Sequence, residues 1–408
     1  MTTRRQLLQG AAFAAVPVLW GSRASGAAQP YLGPAALPRG TLESAVLDAL
    51  PGKKPLIKRA YRPPNYETPL ASFEQAFTPN DEFFVRWHLS DIPEVDAASW
   101  RLRVGGDGAA SPLELSMEQL SKDFEQIELA AVCQCSGNRR GLSDPHVTGV
   151  EWGYGAMGNA RWTGVRLKDI LAKAGARKEA VEIAFNGADK GVVEKTPDFI
   201  KSIPAWKALD ENTLIATRMN GEPLPHWNGF PARIIVPGWT ATYWVKQVTD
   251  ISVLMQPQGG FWMAAAYRIP LGKFPLVDRF VSQESATNTP VTEMVVNSLI
   301  TNLEDGAELR AGQAAEVRGI AWDGGYGIAE VAVSADGGKT WAPATLKEDL
   351  GRFAWRQWSF SFTPQGGAEH VIMARATNMR GQTQVPELIF NPAGYHNNVV
   401  QKITVKAV

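Results

Sequence analysis

The chain has 408 residues, which predicts two or three domains, and its 41 basic residues balance its 41 acidic residues. This balance gives no support for binding to nucleic acid or to an anionic membrane surface. The 38 glycines and 27 prolines predict many turns and therefore a fold rich in strands.

Residues 1–28 have the pattern of an export signal. Two adjacent arginines, Arg4 and Arg5, precede an apolar run that extends to about Trp20, and small residues near Ala28 offer a cleavage site. The run is shorter than the roughly 20 apolar residues that a membrane span requires, and no later segment reaches that length. Because a twin-arginine signal is an address read by a receptor, we expect export to the periplasm in the folded state, without a membrane span.

The next two segments differ in composition. Residues 29–79 contain many prolines, which interrupt long elements, and this pattern predicts an irregular, extended arm that wraps the first domain. Residues 80–285 alternate short apolar runs with turns and predict a mixed α+β domain. Within it, residues 167–175 predict a short helix that ends at a glycine, and residues 181–185 and 233–238 predict strands.

Residues 286–408 show a different pattern. Ala329, Val331 and Val333 alternate with other residues, which predicts that they share one face of a strand. Asp336-Gly337-Gly338 then predicts a hairpin turn. Several short strands at regular spacing predict an immunoglobulin-like β-sandwich domain.

The chain has only two cysteines, Cys133 and Cys135. A disulfide across one intervening residue would be strained, and an exported protein that keeps a free thiol usually has a use for it. Cys135 begins the segment Cys135-Ser136-Gly137-Asn138-Arg139-Arg140. Thiolates select soft or high-valent metals and arginines bind oxyanions, so this segment predicts a metal that acts on a small oxyanion. The alternative is a cysteine in a buried turn beside two surface arginines.

Several familiar catalytic patterns are absent from the sequence, including the glycine-rich nucleotide loops, His-Glu-x-x-His and Gly-x-Ser-x-Gly. The five histidines are scattered, which argues against a histidine-based zinc site. Arg86 and His88 follow an apolar stretch and would place two donors on one side of a strand. Taken alone, Arg86 and His88 are better explained as one exposed arginine and one packed histidine. Trp152 would by default belong to the core, and the Tyr267 phenol is compatible with an interfacial hydrogen-bond donor.

Together these segments resemble the sulfite oxidase family of molybdenum enzymes. Cys135–Arg140 resembles that family's Cys-Ala-Gly-Asn-Arg-Arg signature. Further resemblances lie, in the family's order, in residues 84–89, 152–164, 219–225, 229–233 and 333–341. The resemblance covers about residues 80–408 and implies a catalytic domain followed by a dimerisation-type domain. With an export signal and no fused haem domain, the chain is most similar to the molybdenum subunits of periplasmic sulfite dehydrogenases.

The resemblance implies a molybdenum–molybdopterin cofactor, with Cys135 as the one protein ligand to the metal and no haem in this chain. The catalytic residues that it implies are Arg86, His88, Cys135, Arg140, Trp152 and Tyr267. The cofactor-binding residues that it implies are Phe84, Val85, Arg86, Trp87, His88, Asp189, Asn228, Arg233, Trp244, Val245 and Lys246. Three of these depart from the family pattern. Trp87 replaces a usual Asn, Asn228 replaces a usual His, and Trp244 lies in residues 242–247, which replace a usual Ala-Arg-His-Val-Lys-Trp.

The implied activity is oxidation of sulfite to sulfate by oxygen-atom transfer, with single electrons passing to a separate c-type cytochrome. No Cys-x-x-Cys-His haem attachment site occurs in the sequence, and two cysteines cannot hold an iron–sulfur cluster. None of the five histidines lies before His88 to ligate a b-type haem in an N-terminal domain. The chain is then expected to form a heterodimer with the cytochrome or a homodimer. The alternatives are oxidation of sulfane sulfur on a carrier protein, reduction of sulfoxide or nitrate, and a non-catalytic β-sandwich adhesion module.

Overall fold

The computed structural model describes residues 46–271 and 287–408. The predicted export signal lies outside the described residues, as do the first part of the predicted arm and the predicted domain boundary at residues 285 and 286. Within the described ranges, the longest helix is too short to cross a bilayer.

The helices are short. The α-helices are α1 (Met117–Lys122), α2 (Leu167–Lys173), α3 (Ala205–Ala208) and α4 (Phe261–Ala264). Single 3₁₀ turns occur at Leu70–Glu74, Arg140–Leu142, His226–Asn228 and Ala241–Tyr243. The predicted helix is confirmed as α2, which ends just before Gly175, a residue with φ of 63° that favours glycine.

Within residues 46–271 and 287–290, the structure has sixteen strands. They are β1 (Val46–Asp48), β2 (Leu56–Ala60), β3 (Asn65–Glu67), β4 (Val85–Arg86), β5 (Arg101–Gly105), β6 (Leu113–Ser116), β7 (Gln126–Gln134), β8 (Met157–Arg166), β9 (Glu182–Gly187), β10 (Lys201–Pro204), β11 (Leu214–Met219), β12 (Glu222–Pro223), β13 (Arg233–Ile235), β14 (Val248–Leu254), β15 (Arg268–Pro270) and β16 (Asn288–Pro290). The two strands predicted in this part are confirmed as β9 and β13.

These strands form two five-stranded sheets, one four-stranded sheet and one two-stranded sheet. One sheet has the order β10-β9-β14-β5-β6, in which β14 and β5 are parallel and the other neighbours antiparallel. A second has the order β12-β11-β8-β7, with β13 also pairing β11. Apolar side chains from both sheets and from α2 share one buried cluster, which forms the main core of the first domain, and a smaller cluster underlies the N-terminal sheet.

The prediction of an irregular arm at residues 29–79 is wrong for part of that segment. Strands β1, β2 and β3 form an antiparallel sheet that continues into β4 of the catalytic domain. The carboxylate of Glu67, in β3, is 1% exposed and accepts hydrogen bonds from the backbone N–H of Gly153 (2.6 Å) and Gly155 (3.0 Å), and it pairs with Arg59. This segment is therefore an integral part of the first domain.

The last part of the chain contains nine strands in two sheets. They are β17 (Asn297–Ile300), β18 (Glu308–Leu309), β19 (Ala315–Trp322), β20 (Ile328–Ser334), β21 (Ala342–Pro343), β22 (Thr345–Leu346), β23 (Arg356–Phe362), β24 (Glu369–Asn378) and β25 (Gln401–Ala407). The sheet orders are β17-β19-β23-β22 and β18-β25-β24-β20-β21, and a separate apolar cluster draws on both. The immunoglobulin-like class of this domain stays a prediction.

One predicted strand face is wrong at a single residue. Val331 and Val333 are buried in β20 as predicted, but Ala329 is exposed. The pairing of β20 with β24 shifts register between Ile328 and Glu330, so a β-bulge turns Ala329 outward. Alternation alone could not reveal that extra residue.

We expect Glu67→Gln to lower the free energy of unfolding by about 3–5 kcal/mol, because it breaks a buried, hydrogen-bonded ion pair with Arg59. Urea unfolding followed by circular dichroism measures the change. The matched control is Glu118→Gln, which removes an exposed partner of Lys122 within α1 and should cost about 0.5 kcal/mol or less. Equal effects of the two substitutions would show that the N-terminal sheet is not integral to the domain.

Candidate active site

Strand β7 carries Cys135 to the centre of the first domain. The strand pairs with β8 along its whole length, from Gln126 opposite Val165 to Gln134 opposite Met157. Its first half alternates in burial and its last four residues are all buried, so the chain runs from the surface into the core. The backbone N–H of Cys135 then donates to Ala156 O at 2.9 Å, which fixes the thiol just beyond the strand.

The segment after Cys135 is a closely bonded turn. The backbone N–H of Asn138 donates to Cys135 O (3.0 Å), and the Asn138 side-chain oxygen accepts from the N–H of Ala156 (3.0 Å). Arg139 has φ of 70°, which reverses the chain direction and is uncommon for a residue other than glycine. Both free cysteines are buried, with Cys135 7% and Cys133 1% exposed.

The two arginines of this turn bind the C-terminal domain. Arg139 donates from Nη1 to Asn297 Oδ1 (2.7 Å) and from Nη2 to Val399 O (2.6 Å). Arg140 donates from Nε to Ala393 O (2.8 Å) and from Nη1 to Val150 O (3.3 Å). The interpretation of the pair as a joint oxyanion clamp is therefore wrong for Arg139, whose donors are directed at the second domain.

A narrow cleft opens beside Cys135. Its walls come from six separate segments of the first domain. The lining residues are Phe84, Arg86, His88, Cys133, Cys135, Ser136, Phe199, Trp227, Asn228, Arg233, Ala241, Thr242, Trp244, Lys246 and Tyr267. The set contains two thiols and four cationic or imidazole side chains but no carboxylate.

A polar cluster of Arg86, His88 and Tyr267 lies on this wall. The Tyr267 hydroxyl accepts a hydrogen bond from Arg86 Nη2 (3.3 Å) and shares another with His88 Nε2. Arg86 also donates from Nη1 to Asn65 Oδ1 (3.2 Å), so the N-terminal sheet helps to orient it. The His88 ring stacks on Phe199 at 3.6 Å between ring centroids.

The electrostatics keep His88 neutral. Burial, together with the positive charges of Arg86, Lys246 and Lys201, holds the pKa of His88 well below its usual range. A neutral imidazole can exchange a hydrogen bond with the Tyr267 phenol without adding charge to the wall.

A second cationic group, Arg233 and Lys246, lies near Cys133. Arg233 is 4% exposed and donates to Asn228 O (3.0 Å) and Trp244 O (3.2 Å), with Cys133 Sγ at 3.8 Å. Burial, reinforced by the charge of Arg233, lowers the pKa of Lys246 to about 7. Burial raises the pKa of Asp189 to about 6 against the opposing effect of Lys246. One carboxyl group therefore offsets only part of this positive charge.

Asn228 is held by a lysine from the N-terminal segment. Lys53 Nζ donates to Asn228 Oδ1 (2.5 Å) and to Phe83 O (3.0 Å), while Asn228 Nδ2 donates to Phe84 O (3.0 Å). The carboxamide thus uses both ends to join β4 to the 3₁₀ turn at residues 226–228. The structure gives a physical reason for Asn at this position, since Lys53 requires an acceptor there.

The sequence-predicted residues fall into two groups. Those on the wall of the cleft are Phe84, Arg86, His88, Cys135, Asn228, Arg233, Trp244, Lys246 and Tyr267. Those that lie behind the wall are Val85, Trp87, Arg140, Trp152, Asp189 and Val245. The predicted contacts of Arg140 and Trp152 with substrate stay predictions. Trp87 packs beneath Lys246, whose Nζ lies 4.4 Å from its ring centroid.

Sequence reasoning missed two buried lysines, Lys53 and Lys201, which only long-range contacts bring to the site. It also missed Tyr395, which stacks on Tyr267 at 5.7 Å between ring centroids and lies 5.2 Å from the Arg140 guanidinium. These residues carry no local pattern, and nothing in the sequence alone pairs them with the cysteine segment.

The residues present fit the implied cofactor. Two buried polar atoms at the cleft, Thr242 Oγ1 and Arg233 Nε, have no hydrogen-bond partner. Across the described ranges, no group of three or more His, Cys, Asp or Glu side chains could hold a metal ion. A metal bound at Cys135 must therefore bring its other ligands on an organic group, and the uncompensated cations favour an anionic one.

Comparisons with known proteins agree with this fit. A family model described as "Oxidoreductase molybdopterin binding domain" matches residues 88–262, and one described as "Mo-co oxidoreductase dimerisation domain" matches residues 288–408. The mitochondrial sulfite oxidase of Homo sapiens is 34% identical over 374 residues, which cover 87% of this chain and 66% of the human sequence. The chain thus spans just under two thirds of that relative.

Two further proteins match a large part of the chain. The sulfite oxidase of Gallus gallus is 35% identical over 332 residues, which cover 78% of this chain and 70% of that protein. In the crystal structure of the sulfane dehydrogenase SoxCD from Paracoccus pantotrophus, a chain with 26% sequence identity superposes with a TM-score of 0.73. The match covers 95% of this chain and 94% of that one. The chain belongs to the sulfite oxidase family, and its cofactor is molybdenum held by molybdopterin.

Proposed function

We propose that the chain is a sulfite dehydrogenase, which oxidises sulfite to sulfate and passes electrons singly to a c-type cytochrome. One observation carries the proposal: a buried thiol and the Arg86–Tyr267–His88 cluster line the same cleft, and no carboxylate shares that wall. A small divalent anion is the substrate that such a wall favours, because arginine pairs two oxygens at once and stays charged.

When bound, the molybdenum cofactor supplies oxygen-atom transfer and accepts two electrons. The chain supplies binding, orientation and exclusion of water. Arg86 would hold the anion through charge-assisted hydrogen bonds, and Tyr267 would direct its hydroxyl towards the reacting oxygen. Cys135 would ligate the metal, while Arg233, Lys246 and Asn228 would hold the anionic part of the cofactor.

The proposed acceptor and compartment come from the sequence. The two cysteines are separated by a single residue, so the sequence contains no Cys-x-x-Cys-His haem site, and two cysteines cannot supply the ligands of an iron–sulfur cluster. The pattern of residues 1–28 supports export in the folded state to the periplasm, where c-type cytochromes accept single electrons. A complex with such a cytochrome, or a homodimer through residues 288–408, is the proposed assembly.

Oxidation of sulfane sulfur on a carrier protein is the second candidate, since a chain of a sulfane dehydrogenase matches nearly the whole length of this one. Steady-state assays with sulfite and with a persulfide-bearing carrier, each with cytochrome c as acceptor, discriminate between the two. Turnover with the carrier but not with sulfite would replace the proposal of sulfite oxidation by oxidation of sulfane sulfur. Turnover of nitrate or sulfoxide with a reduced dye would favour a reductase.

We expect Cys135→Ser to abolish sulfite oxidation while the protein stays folded, because a hydroxyl is a poor donor to high-valent molybdenum. Cys133→Ser is the matched control and should keep most of the activity, since burial raises the pKa of Cys133 to about 11 and keeps it a neutral thiol. Activity, molybdenum content and circular dichroism are measured on the same samples. The reverse pattern would assign the metal to Cys133.

We expect Arg86→Gln to lower kcat/KM for sulfite by about ten- to a hundredfold, the value of a charge-assisted hydrogen bond of about 1.5–3 kcal/mol. Arg140→Gln should lower kcat/KM for sulfite by a factor in the same range. The control is Arg103→Gln, an exposed arginine paired with Asp250 on β14, which should leave steady-state kinetics unchanged. Unchanged kinetics in both test variants would remove the two arginines from substrate binding.

We expect the isolated chain to show no haem Soret band and to reduce an added periplasmic cytochrome c when sulfite is present. Stopped-flow absorbance at the haem bands measures whether haem reduction keeps pace with turnover. Rapid formation of peroxide from oxygen, without any need for cytochrome, would instead identify a true oxidase.

A further inference from the structure

Lys201 lies at the start of β10 and is 0% exposed. Its Nζ donates to Trp262 O at 2.5 Å. The same nitrogen lies 4.9 Å from the ring centroid of Tyr243 and 5.0 Å from that of Tyr267. A buried ammonium thus contacts the ring of the phenol that bonds Arg86 and His88.

Within the described ranges, no carboxylate forms an ion pair with Lys201. The nearest charged groups act in opposite directions, because Arg268 lowers and Glu182 raises the pKa of the ammonium, and burial is the largest effect and lowers it to about 7. Burying a lysine without a carboxylate is costly, so the two aromatic faces and one carbonyl are its compensation. A cation held in this way orients the rings that it contacts.

Tyr267 needs such support. Its φ of 59° lies in the left-handed region, which is strained for an aromatic residue and persists only where neighbouring contacts hold it. The ring is held by Tyr395, which stacks nearly parallel at an angle of 13°, and by Lys201. The carbonyl that Lys201 binds belongs to Trp262 in α4, five residues before Tyr267, so the lysine also fixes the segment that leads to it.

We propose that Lys201 is a positioning residue for Tyr267: its ammonium lies over the phenol ring and fixes the hydroxyl where it meets His88 and Arg86. The inference rests on the proposed function only in treating the Tyr267 hydroxyl as a group that acts on substrate. The effect on catalysis is then indirect and passes through the tyrosine.

Lys201→Met removes the charge and keeps the length of the side chain, and replacement of a buried charge by an apolar group of similar volume is usually tolerated. Lys201→Gln keeps a donor for Trp262 O and serves if the first variant does not fold. The matched control is Lys207→Met in α3. Lys207 is also buried (5% exposed) and lies 6.0 Å from the ring centroids of both Trp239 and Phe353, but it makes no contact with Tyr267.

Each variant is made with Tyr267 and with Tyr267→Phe, and sulfite kinetics are measured for all combinations. We expect Lys201→Met to lower kcat/KM about five- to thirtyfold when Tyr267 is present and less than about twofold when it is replaced, because the two residues act as one unit. Lys207→Met should leave kcat/KM unchanged both with Tyr267 and with Tyr267→Phe. An equal loss in both backgrounds would mean that Lys201 acts independently of Tyr267 and would overturn the proposal.

A second readout does not depend on turnover. The protein is labelled with 3-fluorotyrosine, and the Tyr267 resonance is assigned from its loss in Tyr267→Phe. We expect Lys201→Met and Lys201→Gln to shift this ¹⁹F resonance and Lys207→Met to leave it in place. A Tyr267 resonance unmoved by both Lys201 variants would overturn the proposal. Absence of sulfite turnover in the unaltered protein, with the ¹⁹F shift present, would instead remove the proposed function and keep the contact.

Discussion

The site depends on positive charge that the protein buries without matching it. Arg86, Arg233 and Lys246 line one cleft with Cys135, and no carboxylate shares the wall. Such an arrangement costs folding free energy until an anion enters, because these cations have lost water and the Asp189 carboxyl group offsets only part of their charge. The cofactor and the proposed substrate are both anionic, and each would relieve part of the same electrostatic cost.

Much of the site could be predicted because its residues lie in short contiguous motifs. Cys135, Arg86 and Arg233 each belong to a segment whose residue types and order resemble one family, and the structure brings these segments to one cleft. The regular elements α2 and β9 could also be predicted, because the spacing of apolar residues that identifies a helix or a strand is visible within the segment itself.

The remainder depends on contacts that no local pattern encodes. Lysine is usually a surface residue, so the sequence does not indicate that Lys53 and Lys201 are buried. Packing between distant segments of the chain buries them. The strands β1 to β3 are three to five residues long and lie among prolines, so local propensity predicted an irregular segment. Hydrogen bonding between these strands nevertheless forms a sheet. The exposure of Ala329 follows from a bulge, which adds one residue and inverts the expected alternation.

The turn that carries the thiol is bonded to both domains. Arg139 binds Asn297 and Val399, and Arg140 binds Ala393, all of which lie in the C-terminal domain. Removal of that domain would take these acceptors from two guanidinium groups in the same turn as Cys135, the proposed metal ligand. The position of the thiol therefore depends on both domains. A chain cut between them would lose the geometry of its thiol even if each half kept its strands.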